Sequence, residues 1–192
     1  GLAAAVGNAG LGPLPWSDSA RQLQSRVLLM HRIEPDAGWP DLSDQALGAA
    51  VQDWLAPHLA GMTRLAELPR LDLAAILRGL LSWPLAQRLD EALPTYFQLP
   101  GGRATVDYTQ PVPLAAARAQ AFYGLEVTPV LAGGRVPLAL ALLSPAGRQT
   151  AVTADLAGFW RDGWAEVRRD MRGRYPKHAW PEDPSQAAVK KD

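Results

Sequence analysis

The sequence predicts an α+β protein: an N-terminal helical bundle, then a small antiparallel β unit with a long C-terminal helix and a proline- and aromatic-rich strap. Apolar residues recur at helical spacing up to residue 93, and short alternating segments around Pro-Gly turns follow from Pro94. With 48% apolar residues in 192, the chain can build a hydrophobic core. We predict a helical accessory domain over 1–93, a β-plus-helix domain over 94–184 and a disordered tail over 185–192.

The first half is predicted to be a bundle of short helices. Residues 1–15 are rich in Gly, Ala and Pro, and we expect them to be loose. Ser17 is a good N-cap for a helix whose apolar positions include Leu23 and Met30. Three more helices are predicted to begin at Ser43, Asp72 and Ser82, with short connections as in a helical bundle.

The second half begins with predicted strands. YFQL (96–99) and RATVDY (103–108) flank Pro-Gly-Gly and predict a hairpin, and residues 113–123 are predicted to form a helix. Residues 135–144 and 149–152 predict a second pair of strands. Four strands are one fewer than an OB-fold needs, so the sequence leaves both an OB-like barrel and a simpler sheet open.

The last helix is predicted from about Asp155 to Met171. Its apolar positions, among them Trp160 and Trp164, share one face at 100° per residue. One flank of that face is basic, and the strap continues it. The cationic residues of this flank are Arg161, Arg168, Arg172, Arg174 and Lys177, with His178 beside them. They favour either an ordinary solvated helix with i,i+4 charge pairs or a track for phosphates.

The strap, residues 172–184, reads RGRYPKHAWPEDP, and its three prolines exclude a helix. Tyr175 and Trp180 are its aromatic residues. Arginine beside exposed aromatics is typical of single-strand binding, in which bases stack on the rings. The alternative, which we favour for the aromatics, is that they pin the strap over the domain's own core.

Charge and composition exclude several classes of site. The net charge is zero, although residues 1–99 carry −3 and residues 100–192 carry +3, so a polyanion should prefer the second half. The absence of cysteine excludes thiolate metal sites and favours a cytoplasmic location.

No GxxxxGK[ST], GxGxxG, HExxH or GxSxG motif occurs, so we expect no catalytic residue, cofactor or metal site. No apolar run is long enough to cross a membrane. Asp90-Glu91 starts a DEA sequence, but helical spacing predicts plain surface charges there.

Long segments of the sequence resemble a known family. The run VTADLAGFWRDGWAEVRRDMRGRYPKHAWPEDP (152–184) is similar to the C-terminal region of bacterial HrpB-type ATP-dependent helicases of the DEAH/DExH-box class, and so is GWPDLSDQALGAAVQDWLAPHL (38–59). The resemblance implies that this chain is the distal part of a longer protein, as a start at Gly1 also suggests. It places ATP and magnesium on two RecA-like motor lobes outside this chain. The parent would then be an ATP hydrolase, and this part should be inactive alone.

Two functions from different classes remain open. The first is an accessory module that contacts single-stranded RNA or DNA through the basic flank, with Arg103 and Arg135 as further candidate contacts. The second is a structural module that braces the motor domains of the same parent chain or recruits a protein partner through its aromatics.

Overall fold

Helices and the loops that join them make up the first of the two compact units, Gly1–Glu91 and Ala92 onward, into which the chain divides. This computed structural model of the protein describes residues 1–187. Ser17, Ser43 and Asp72 each accept a backbone hydrogen bond at a helix start, as predicted. The helices are α1 (Leu2–Ala9), α2 (Asp18–Ile33), α3 (Asp44–Ala49), α4 (Val51–Trp54), α5 (Leu73–Arg78) and α6 (Trp83–Ala92), with 3-10 helices at Ala56–Leu59 and Leu65–Arg70.

The prediction that residues 1–15 are loose was wrong for α1. The segment LAAAVGNA is rich in alanine, the best helix former, and it buries Ala3 and Val6. Packing against α3 and α4 provides the tertiary support that so short a helix needs.

Asp90 on α6 is tied to two arginines rather than free on the surface. Its carboxylate accepts hydrogen bonds from Arg26 on α2 at 2.9 Å and from Arg78 on α5 at 2.6 Å. The Arg26 side chain is only 4% exposed, so Asp90 neutralises a buried charge. Burial acts to raise the pKa of Asp90, but the two arginines outweigh it and lower that pKa. Asp90 therefore holds α2, α5 and α6 together.

The second unit is built on a five-stranded sheet in the order β1-β2-β3-β4-β5. Its strands are β1 (Tyr96–Leu99), β2 (Gly102–Asp107), β3 (Leu114–Arg118), β4 (Ala139–Leu143) and β5 (Gln149–Thr153). The two predicted hairpins are present as the antiparallel pairs β1–β2 and β4–β5. The β3–β4 pair is parallel, so the sheet is mostly antiparallel. No ladder joins β1 to β5 within residues 1–187, and the pairing is therefore that of an open sheet rather than a closed OB-like barrel.

The predicted helix over 113–123 was wrong. β3 occupies its first half, and a 3-10 helix, Ala119–Phe122, occupies its second. Alanine favours helices, but β3 pairs with β2 on one side and β4 on the other, and this pairing overrides the propensity. Its alternate residues Ala115 and Ala117 are buried, as a strand requires.

The predicted long C-terminal helix is present as two helices, α7 (Leu156–Asp162) and α8 (Trp164–Arg174), which meet at Gly163. A Cβ atom at Gly163 would lie 2.7 Å from the Phe159 ring, so glycine lets that ring pack across the junction. Of the predicted tail, Pro184–Gln186 forms a 3-10 helix, and residues 188–192 lie outside the described residues.

We expect Asp90→Asn to change how the first unit responds to acid. The folded-state pKa of Asp90 lies below its ordinary value of 3.8, so its contribution is present above about pH 4 and is lost as the pH falls through the folded-state pKa. The variant should lose about 1–3 kcal/mol at neutral pH, because Arg26 loses a partner. Its stability should also depend less on pH below 5.

Urea unfolding followed by circular dichroism between pH 7 and 2.5 measures both effects. Glu91→Gln, which removes the neighbouring exposed carboxylate, is the control and should keep the acid dependence of the wild type. If the free energy of unfolding of Asp90→Asn falls with pH in parallel with that of wild type, the role assigned to Asp90 is contradicted.

Candidate nucleic-acid interface

The strap is fixed by a cluster of aromatic rings around Trp164, which is 1% exposed. Trp160 and Tyr123 meet the Trp164 ring edge-on, with centroids at 5.3 and 5.9 Å. Trp180 of the strap lies against the same ring at 6.2 Å, and Phe159 completes the set at 6.4 Å. Such ring pairs stabilise a core beyond the area they bury. The tryptophan stripe predicted from the sequence is thus the core of the second unit.

Hydrogen bonds join the strap to this cluster. The Trp164 indole N–H donates to the Pro181 carbonyl and the Tyr123 hydroxyl to the Ala179 carbonyl, both at 2.8 Å. Burial raises the pKa of Tyr123, so its hydroxyl keeps the proton that it donates. Trp180 is 6% exposed and donates to the Tyr175 carbonyl, which leaves its face no room for a nucleobase. The structure therefore supports the pinning interpretation for Trp180.

Four of the predicted cationic contacts have partners within the protein. Arg168 donates to the Trp180 carbonyl at 2.7 Å, and this bond ties α8 to the strap. Arg161 pairs with the adjacent Asp162 at 3.2 Å, and Arg174 pairs with Asp170 one turn earlier at 3.4 Å. Arg135 donates to the Ala132 carbonyl at 2.9 Å. Exposed pairs of this kind contribute little to stability, but they reduce the charge offered to a ligand.

Arg172 and Lys177 are exposed and keep their charge available. No ion pair or hydrogen bond joins the side chain of either residue to another residue within 1–187. Arg172 lies with Arg168 and Arg169 along one shallow depression of α8.

A second basic surface lies at one end of the sheet, in a groove of about 580 Å³. Arg103 reaches it from the start of β2, Arg118 from the end of β3 and His178 from the strap. All three are exposed, and no acidic residue is among the described residues that line the groove. The remaining lining residues are Gly101, Ala117, Gln120, Ala121 and Pro145. We call it the sheet-end groove.

The floor of the sheet-end groove is held rigidly. The Gly101 amide donates to the Ala121 carbonyl at 3.0 Å, so the β1–β2 turn sits directly on the 3-10 helix. A Cβ atom at Gly101 would lie 2.3 Å from the Gln120 carbonyl oxygen, and only glycine allows this approach. The Arg103 guanidinium stacks over the Tyr96 ring, 4.3 Å from its centroid.

The structure thus brings together two of the predicted contacts, Arg103 and His178, and adds Arg118, which sequence reasoning missed. Arg118 was missed because 113–123 was assigned to a helix, where its side chain has no relation to Arg103. The antiparallel pairing of β3 with β2 sets Ala116 opposite Thr105, and the same register continued by two residues places Arg118 opposite Arg103 at the end of the sheet. Arg161, Arg168, Arg172, Arg174, Lys177 and Arg135 do not line this groove.

Within residues 1–187, no group of three or more His, Asp or Glu side chains is placed to hold a metal ion. No helix there is long and apolar enough to cross a membrane.

Comparison with known proteins identifies the family. Residues 54–184 match HrpB_C, described as "ATP-dependent helicase C-terminal". The chain belongs to this family. It is 44% identical over 181 residues to the ATP-dependent RNA helicase HrpB of Escherichia coli strain K12, covering 93% of this chain and 22% of the relative.

Two crystal structures agree with this assignment. The E. coli DExH-box NTPase HrpB matches 97% of this HrpB_C chain with a TM-score of 0.89 at 42% identity, and the E. coli DEAH/RHA helicase HrpB matches 93% with a TM-score of 0.76 at 40% identity. The chain spans 23% of each of those chains, so it corresponds to less than a quarter of its relatives.

We expect Arg168→Gln to loosen the strap, whereas the matched variant Arg172→Gln leaves it in place. Of these two arginines, Arg168 is the one whose side chain donates to a strap carbonyl, and a hydrogen bond from a charged group contributes about 1.5–3 kcal/mol. Tryptic cleavage after Lys177, which samples local opening, should become about tenfold faster in Arg168→Gln alone. Mass spectrometry of the products over time measures the rate of this cleavage. Equal cleavage of the two variants would show that the Arg168 bond does not hold the strap.

Proposed function

We propose that this chain is a C-terminal accessory module that holds single-stranded nucleic acid by its phosphates beside the motor domains of its parent helicase. The observation that supports it is the sheet-end groove, where Arg103, Arg118 and His178 converge with no acidic residue among the described lining. Phosphate contacts position a strand without reading its sequence, which suits a helicase that must move along any sequence. Arg172 and Lys177 add exposed charge to the same unit.

The name of the E. coli relative indicates RNA as the strand to test first, with DNA as the comparison. ATP binding and hydrolysis, with magnesium, belong in this proposal to the rest of the parent chain. The residues present here do not fit that role, because the sequence has no phosphate-binding loop and the described residues bring no cluster of carboxylates together. We also propose that the parent works in the cytoplasm.

The proposal predicts salt-dependent binding that the groove arginines control. Titration of the 192-residue chain into a 12-nucleotide oligouridylate with an internal fluorophore, followed by anisotropy at about 50 to 200 mM salt, measures it. For single strands each phosphate contact adds about 0.7 to the slope of log K against log salt. Arg103→Gln with Arg118→Gln should therefore lower the slope by about 1.4 and weaken binding at low salt roughly tenfold.

The matched control is Arg161→Gln with Arg174→Gln, which removes the same formal charge from residues already paired with carboxylates. It should change binding by less than about twofold. The proposal fails if wild type does not bind at about 50 mM salt, or if the two double variants lose affinity equally.

A module that docks onto the motor domains is the second candidate, and an exposed apolar side chain in the first unit favours it. Trp83, at the start of α6, is 74% exposed, and Leu80 before it is 37% exposed. A large aromatic residue left in water costs free energy unless a partner covers it, and tryptophan is among the commonest anchors of protein interfaces.

We expect Trp83→Ala to weaken the association of this chain with separately produced motor domains of the same parent by about tenfold or more if Trp83 is an anchor. Isothermal titration calorimetry measures the affinity. Val152→Ala, which trims an exposed apolar residue of the second unit, is the control and should have little effect. Unchanged binding by Trp83→Ala would remove this candidate.

A further inference from the structure

We infer that the sheet-end groove takes a phosphomonoester at the end of a nucleic-acid strand in preference to a phosphodiester within it. This inference rests on the proposed function for the strand itself and deepens it by naming the chemical group that occupies the groove. Three features of the groove support it: its charge, its set of hydrogen-bond donors and its rigidity.

Charge matching favours the monoester. Arg103 and Arg118 supply two permanent positive charges. No described lining residue offsets them. A phosphodiester carries one negative charge, whereas a phosphomonoester carries about −1.5 to −2 at pH 7. The groove therefore has at least one charge more than an internal phosphate can balance.

The donors lining the groove also match a group with three terminal oxygens. Each guanidinium can donate in a fork to two phosphate oxygens. Gln120 lines the same groove, and its amide Nε2 is enclosed by protein without an acceptor among residues 1–187. Because Nε2 is enclosed, the Gln120 side chain must turn toward the groove to donate to a ligand oxygen, and this move gives the unpaired amide an acceptor. A monoester presents three non-bridging oxygens and a diester presents two.

Two contacts limit the movement of the groove and of its donors. Stacking over Tyr96 orients the plane of the Arg103 guanidinium, and the contact of Gly101 with the backbone of Gln120 fixes the turn against the 3-10 helix. Preorganised donors lose little freedom when the ligand arrives. The groove volume of about 580 Å³ falls within the range of about 300–1,000 Å³ typical of small-molecule sites, so a terminal nucleotide can follow its phosphate inside.

The test compares three 12-nucleotide oligouridylates that differ only at their ends: one with a 5′-phosphate, one with a 3′-phosphate and one with hydroxyls at both ends. Each carries an internal fluorophore and is titrated with the 192-residue chain at about 50 mM salt and pH 7.5. We expect one phosphorylated oligonucleotide to bind about tenfold more tightly than the hydroxyl form. Arg118→Gln and Gln120→Ala should each reduce this preference, and Arg172→Gln should weaken all three oligonucleotides equally and leave the preference intact.

The outcomes separate this inference from the proposed function. If all three oligonucleotides bind wild type equally, or if the preference survives in Arg118→Gln, the inference is overturned while strand binding stands. If none binds, the proposed function fails. The groove is then tested with inorganic phosphate by two-dimensional amide NMR. Changes in amide chemical shift at Gly101, Gly102 and Gln120 that disappear in Arg118→Gln would support a phosphate site in the groove. Their absence from wild type would overturn that site. Circular dichroism of each variant confirms that it is folded.

Discussion

Burial of Trp164 beneath the strap is the contact on which the second unit depends. This ring is 1% exposed, meets four other aromatic rings, and donates its indole N–H to the Pro181 carbonyl. Between Arg174 and Pro184 the strap forms no helix or strand, so side-chain contacts hold most of it, and the Gly124 amide donates to the Pro184 carbonyl at its end. His178 lies between the anchored residues Tyr175 and Trp180. The aromatic core therefore positions His178, which the strap contributes to the described lining of the sheet-end groove.

The cationic residues of the second unit differ in the chemical groups that lie beside them. Arg168 lies beside a strap carbonyl and ties the strap to α8, while Arg161 and Arg174 lie beside carboxylates of their own helices. Arg103 and Arg118 instead lie at the ends of strands, in a groove with no acidic residue among its described lining. A guanidinium in such a setting keeps its donors for a ligand. On α8, Arg168 serves the architecture while Arg172 stays exposed, and the sheet-end groove is where two arginines converge.

The sequence predicted correctly those features that depend on residues close together in the chain. The caps at Ser17, Ser43 and Asp72, the hairpin at Pro100-Gly101-Gly102 and the buried stripe of α7 and α8 follow from neighbours within a few residues. The strand at 114–118 does not, because its alanines favour a helix until β2 and β4 pair on both sides. Arg118 could not be joined to Arg103 without that pairing. For the same reason the sequence left the strap aromatics open between pinning and base stacking, since what Trp180 packs against lies on a distant segment.

The two candidate functions use different parts of the chain, and this bears on what the module adds to its parent. The sheet-end groove belongs entirely to the second unit, and Trp83 belongs to the first. A surface that holds a strand must let that strand move. Contacts to phosphates, whose strength depends on salt concentration and not on sequence, suit this requirement. A surface that docks onto a motor must persist through many cycles of that movement, and a buried tryptophan anchor suits it better. The two proposals are therefore compatible, since one assigns motor docking to the first unit and the other assigns strand binding to the second. Because the two surfaces lie in separate compact units, variants of one surface should leave the other unaffected.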